Sequence, residues 1–241
     1  MTDAVQYSMS DGVATIRIDD GKRNALSPEV LRAIFAAMDR AESDRAAVIL
    51  TGRDDVFSAG FDLNVMKRGG MRAINMLRLG YSLPARVLAY PYPVITACNG
   101  HSFAMGVFLM LASDYVIGSH GEFKIAANEV AIGLKMPRVA AAMLRHRLNP
   151  AAFQRTVTLS EYFDVEAAER AGFFDELVER DDLLTHAESC ARKFSELDMR
   201  AHKASKRRIR RTLIRKLRYS VWLDLFDAAQ MGLRGTKPRK T

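Results

Sequence analysis

The chain has 241 residues, 49% of them hydrophobic and 27% charged, with a formal net charge of +8. That apolar fraction excludes a disordered chain, and the longest strongly apolar stretch, residues 103–112, is about half of the ~18 residues a membrane span requires. Ten basic residues and no Asp or Glu fall within 200–218, and outside that stretch 26 basic residues face 28 acidic ones, so the excess is local and the chain as a whole is not built to bind a polyanion.

The first residues lack a basic region followed by an apolar one, so no secretory leader is expected. Two β-prone runs follow, 5–9 and 13–18, with Asp11-Gly12 between them as a hairpin signal. Ser27 is placed to cap a helix whose first position is Pro28, and Leu31, Ile34, Phe35 and Met38 then recur at helical spacing. Buried strands are expected at 48–51 and 93–98, with a helix over 70–90 that Pro84 kinks or interrupts. A further strand is expected at 115–118. The rest reads as mostly helical, over 137–147, 150–159, 165–171, 181–197 and 201–230, with a short strand at 174–178. Strands alternating with helices, then helices alone, imply a layered α/β body with a helical C-terminal part. No internal repeat is visible.

Common chemistries lack their signatures. There is no G-x-G-x-x-G after a strand, no P-loop and no G-x-S-x-G elbow. The histidines (His101, His120, His146, His186 and His202) show no H-E-x-x-H or other ligand spacing, so each reads as a surface or core residue and no metal is expected. Cys98 and Cys190 form no CxxC pair and read as reduced, buried thiols of a cytoplasmic protein.

Two strand ends run into small-residue turns, Ser58-Ala59-Gly60-Phe61-Asp62-Leu63 and Asn99-Gly100-His101-Ser102-Phe103-Ala104-Met105-Gly106. Loops at the carboxyl ends of buried strands are where α/β proteins build sites, and small residues let a ligand approach backbone N–H groups. Glycines that only make tight turns are the alternative.

Together these segments resemble the crotonase family, also called the enoyl-CoA hydratase/isomerase family. Arg23-Asn24-Ala25-Leu26 is similar to its N-A-L segment, and Phe57-Ser58-Ala59-Gly60-Phe61-Asp62-Leu63 to its F-x-A-G-x-D-[IL] loop. Residues 94–100, running on to Gly106 and Asp114, are similar to its V-I-A-x-[VI]-N-G segment. Residues 128–134 and the Ala168–Gly172 region continue a resemblance that covers roughly residues 4–200. It implies a ββα superhelix and an acyl-CoA substrate whose thioester carbonyl sits between two backbone N–H groups, here those of Phe61 and Met105. Glycine is usual at the Met105 position, so its side chain must point away. Asp114 matches a structural position.

Family hydratases use two glutamates. At the first position this chain has Phe108, which cannot transfer a proton, and at the second it has Glu129. Hydration divides its proton transfers between two carboxyls, whereas moving a double bond from C3 to C2 needs one. The Asn128-Glu129 pair with an apolar Phe108 is most similar to Δ3,Δ2-enoyl-CoA isomerases. An apolar wall would raise the Glu129 pKa and make it a better base. Without the resemblance, Glu129 would read as a solvated loop carboxylate. Ala25, Ala59, Asp62 and Leu63 fall where the family holds coenzyme A, and Lys22 and Arg23 are candidates for its phosphates or for plain solvated charge. The acyl pocket wall is drawn from Met66, Met71, Leu77, Met105 and Phe108. Coenzyme A belongs to the substrate, so no cofactor is expected.

The basic segment 203–218 admits three readings: an amphipathic helix with Ile209, Leu213, Leu217 and Trp222 on its apolar face, a contribution to coenzyme A phosphates of a neighbouring subunit, or a surface for nucleic acid or acidic membrane. The expected organisation is a core domain over 1–195, a helical oligomerisation segment over 196–233 and a mobile basic tail over 234–241. A homotrimer or hexamer is implied by the resemblance. Hydratase activity, or a catalytically idle scaffold binding acyl-CoA, protein or RNA, remains the alternative function.

Overall fold

A computed structural model describes residues 4–233, so the tail expected to be mobile lies outside the described residues. The chain opens with β1 (Val5–Ser10) and β2 (Val13–Ile18), paired antiparallel with Ser10 opposite Val13. Asp11 and Gly12 both have positive φ, the backbone that a two-residue hairpin turn needs. Then come β3 (Ala25–Leu26) and α1 (Pro28–Ser43), with Ser27 accepting from Val30 N as the helix cap.

β4 (Ala47–Thr51), β5 (Val56–Ser58), β6 (Gly60–Phe61), α2 (Leu63–Arg68) and α3 (Gly70–Leu88) follow. Next are β7 (Val94–Cys98), β8 (His101–Phe103) and α4 (Met105–Met110), and then β9 (Tyr115–Ser119), β10 (Ile125–Ala126) and α5 (Arg138–Arg147). The chain continues through α6 (Pro150–Leu159), α7 (Val165–Ala171), β11 (Glu176–Val178), α8 (Leu183–Ser195) and α9 (Met199–Leu233).

This order contains a structural repeat that the sequence hides. In successive units, one strand enters a six-stranded sheet ordered β1-β2-β4-β7-β9-β11, a second enters a smaller sheet, and a helix closes the unit. β5, β8 and β10 form the three-stranded sheet and β3 and β6 a two-stranded one. From β2 onward the large sheet is parallel. The chain is therefore a ββα superhelix.

The large sheet is buried on both faces, as parallel sheets are. Ile49, Ile95, Ala97 and Ile117 meet Leu183, Ala187 and Ala191 of α8 on one face. Val48, Leu50, Val94 and Val116 join the main core on the other.

Two expectations need correction. Pro84 does not interrupt α3, which runs on to Leu88, because Leu83, Pro84 and Ala85 are all buried and packing outweighs one lost helical bond. The buried face of α9 is not the stripe through Ile209 and Trp222, which are exposed; it runs through Lys206, Arg210, Ile214, Leu217, Val221 and Asp224. Every charge on that stripe has a partner. Lys206 Nζ donates to Asp114 Oδ2 at 2.5 Å and to Tyr92 O at 3.1 Å, and Arg210 Nη1 lies 2.7 Å from Asp114 Oδ1. Asp224 accepts from the backbone N–H groups of Arg138 and Val139, capping α5, whose preceding Pro137 supplies no side-chain cap. Asp114 also accepts from Val94 N at 2.7 Å, so its role is structural. Burial lowers the Lys206 pKa to about 8, against the pull of Asp114.

Cys98 is buried and Cys190 half-buried, and neither forms a disulfide. No helix among the described residues is long and apolar enough to cross a membrane.

Candidate active site

Three strands of the smaller sheets, β6, β8 and β10, come from successive units and end at one place. β6 runs into α2 through Asp62, whose side chain caps α2 by accepting from Asn64 N and Val65 N. β8 runs into α4 through Ala104, and β10 runs into the turn that carries Glu129. Between these ends lies a cavity of about 390 Å³ whose wall includes Phe61, Tyr81, Phe108, Glu129, Ile132 and Leu134. Glu129 is the one carboxylate among its lining residues.

Glu129 is 6% exposed. Its Oε2 is buried without a hydrogen-bond partner among the described residues. Burial raises its pKa to about 7, and its own backbone amide offsets only part of that shift. The turn beneath it is pinned: Leu134 N donates to Glu129 O at 2.8 Å, and Ala131 N to Ser160 Oγ at 3.1 Å. A carboxylate so held is a base poised near neutrality. Tyr81 is its polar neighbour. Burial raises the phenol pKa far beyond the ordinary value, with Asp224 and Glu129 adding to the shift, so Tyr81 keeps its proton.

Two chain segments meet at this cavity, the β6 turn and the start of α4. Gly60 has φ +83°, and a β-carbon there would lie 3.2 Å from Met105 N and 2.9 Å from Phe103 O. The absence of a side chain thus lets the β6 turn lie against the start of α4. Around Phe61 the neighbouring amides are engaged: Ala59 N donates to Arg23 O, Gly60 N to Ser58 Oγ and Asp62 N to Leu26 O. Met105 opens α4, where a helical amide has no partner within the helix. The Met105 side chain is buried in the core, off the cavity wall, and its backbone is not among those with positive φ. The unusual backbone falls one residue earlier, on Ala104, with φ 48° and ψ −119°. Strain of this kind concentrates at functional sites.

Of the residues singled out in the sequence, Ala59, Phe61, Leu63, Met66, Leu77, Phe108 and Glu129 line the cavity. Met71 does not, being 77% exposed on the first turn of α3. Lys22 and Arg23 are exposed and lie outside the lining, as do Ala25 and Asp62. Arg23 and Ala25 still flank the site, since Ala59 N bonds to Arg23 O and Ala25 pairs with Gly60. The lining also includes Lys67, Tyr81, Lys135 and Ala228, which sequence reasoning missed. Tyr81 sits at a core-facing position of α3, and its ring packs edge-on against Phe61 at 5.5 Å. Gly80 leaves the space that the Phe61 ring fills.

A family description, enoyl-CoA hydratase/isomerase, matches residues 8–226. The probable enoyl-CoA hydratase echA17 of Mycolicibacterium paratuberculosis is 31% identical over 243 residues, covering 96% of this chain and 93% of that protein. An enoyl-CoA hydratase/isomerase family protein from Pseudomonas syringae superposes with a TM-score of 0.91 at 42% identity, covering 93% of this chain and 97% of that one. A Mycobacterium tuberculosis protein, solved twice, is described once as a probable enoyl-CoA hydratase, EchA3, and once as an enoyl-CoA isomerase. It is 40% identical in both, with TM-scores of 0.90 and 0.87, covering 97% and 92% of this chain and 98% and 97% of the solved ones. With a matching family description across nearly its whole length and the fold of these neighbours, the chain belongs to the enoyl-CoA hydratase/isomerase, or crotonase, family.

Proposed function

We propose that the protein is a Δ3,Δ2-enoyl-CoA isomerase with Glu129 as its single acid–base group. The observation that carries this reading is that Glu129 is the one carboxylate among the cavity-lining residues and has a buried, unpartnered Oε2. The ionised carboxylate takes a proton from C2 of a 3-enoyl-CoA. The electron pair moves into the thioester, and the carbonyl oxygen gains charge between the N–H groups of Phe61 and Met105. One fixed donor of this kind contributes about 3–4 kcal/mol to the transition state. The protonated Glu129 returns its proton to C4 as the double bond settles between C2 and C3. No cofactor enters this scheme.

Phe108 supports the choice between reactions. It lines the cavity with 1% exposure and can neither activate water nor deliver a proton. Lys67 and Lys135 line the cavity and are proposed, together with the exposed Lys22 and Arg23, as the cations that meet coenzyme A phosphates. We propose a trimer or a dimer of trimers as the assembly, supported by the exposed Tyr219, Trp222 and Phe226 of α9. Sedimentation gives its size.

The test of function is paired turnover of 3-hexenoyl-CoA and crotonyl-CoA. Isomerisation of the first without appreciable hydration of the second supports the reading. Rapid hydration of crotonyl-CoA with the 3-enoyl substrate untouched overturns it in favour of a hydratase. No turnover of either identifies an idle scaffold.

A further inference from the structure

On the far side of the six-stranded sheet from the acyl cavity, three side chains of different chemistry converge. Glu176 comes from edge strand β11, and His186 and Cys190 from successive turns of α8, four residues apart and so on one helix face. Their donor atoms all lie within 4.8 Å of one another. His186 Nε2 is 2.7 Å from Glu176 Oε1, and Cys190 Sγ is 3.6 Å from His186 Nε2. We propose that Glu176, His186 and Cys190 form a second site, which binds a zinc-class divalent cation.

One edge of that geometry is present, a second is short, and the third, from Cys190 Sγ to a Glu176 carboxylate oxygen, lies within 4.8 Å. Tetrahedral zinc with Zn–S near 2.3 Å and Zn–N or Zn–O near 2.05 Å has edges of about 3.6 Å for S···N and about 3.3 Å for N···O. The S···N edge is already present, and the N···O pair opens by about 0.6 Å as the cation takes the place of the hydrogen-bonded proton, which leaves Nε2 for Nδ1 of a neutral ring or for solvent from a charged one. A thiolate, an imidazole and a carboxylate are the donor set of zinc and cobalt, whereas magnesium and calcium take oxygen alone. The Tyr115 phenol lies near the Glu176 carboxylate, and its ring packs edge-on against Phe194 of α8. A shallow depression lined by Val178, Asp182, Thr185, His186 and Ser189 opens beside His186, leaving the fourth position to water. On binding, the Cys190 thiol loses its proton to solvent and its sulfur bonds the metal. The cation would clip the three-residue edge strand β11 to α8, a structural role independent of acyl-CoA chemistry.

The test is titration of the purified full-length protein with cobalt(II) chloride, followed by competition with zinc(II) chloride. The expected result is one cobalt per chain, a sulfur-to-cobalt charge-transfer band and visible bands of tetrahedral intensity, all displaced by zinc. Cys190→Ser is expected to remove the charge-transfer band, and Glu176→Gln, which replaces a direct ligand, to weaken binding by at least about tenfold, both while turnover of 3-hexenoyl-CoA is unchanged. A folded protein that shows no saturable one-to-one band overturns the proposal, as does a charge-transfer band that persists in Cys190→Ser.

Discussion

A β-carbon on Gly60 would lie 3.2 Å from the backbone nitrogen of Met105. These two residues belong to successive ββα units, and their close approach brings the β6 turn against the start of α4, where Phe61 and Ala104 line the cavity. The backbone, more than any side chain, therefore shapes the proposed oxyanion site.

Gly60→Ala tests that closeness. Gly60 has φ +83°, and the new methyl group also lands 2.9 Å from Phe103 O, so the two segments must part. A displaced donor is expected to lower kcat/KM by roughly 10²–10³-fold. Steady-state kinetics check this, with circular dichroism to confirm that the fold is kept.

Met105→Ala separates backbone from side chain. The side chain is fully buried in the core and its removal is expected to cost roughly 2–4 kcal/mol in urea unfolding. The amide stays, so kcat/KM is expected to remain within about threefold of wild type.

Glu129 couples activity to stability through its pKa, raised from the ordinary 4.5 to about 7. Well below 4.5 the carboxyl is protonated in folded and unfolded states alike, and it costs nothing. As pH rises toward 7, the folded state must bury a charge that the unfolded state solvates, at a cost on the order of 3 kcal/mol that levels off above. Glu129→Gln removes this cost. Its Tm is expected to exceed that of wild type by several degrees near pH 8.5, with the gap closing near pH 5. In wild type, kcat/KM is expected to rise with pH through about 7 and then plateau, because the base must be ionised. Calorimetry and a pH–rate profile read the two halves.

Asp114 is the sole anion in contact with Lys206 and Arg210 among the described residues, and both cations are buried. Asp114→Asn is expected to destabilise the fold by roughly 3–5 kcal/mol, since breaking a buried pair leaves charge without compensation. Denaturant unfolding checks this.

The elements legible in the sequence are those long enough to show a period or marked by a cap. The Asp11-Gly12 hairpin, the Ser27-Pro28 helix start and the strands expected at 48–51 and 93–98 are of this kind, the second of these forming over Val94–Cys98. Strands of two or three residues, such as β3, β6 and β10, carry no periodicity, so the ββα repeat they define is invisible. The sequence pattern does not reveal the buried face of α9, because Lys206, Arg210 and Asp224 interrupt its apolar spacing, and only their partners on distant segments make that burial tolerable. Glu129 lies in a turn that no pattern marks as buried, and the family motif alone singled it out. Ala104 carried no signal, because its backbone conformation is imposed by the turn between β8 and α4.

The shuttle through one carboxyl is tested most directly by the fate of hydrogen. A 3-hexenoyl-CoA carrying deuterium at C2 is converted in ordinary water in a single turnover, and the product is analysed by mass spectrometry and NMR. Because Glu129 is buried and holds the abstracted hydrogen within the cavity, deuterium is expected at C4 of the 2-enoyl product, and Glu129→Gln is expected to form none. A C4 position filled wholly from solvent, or isomerisation that survives in Glu129→Gln, would contradict the account.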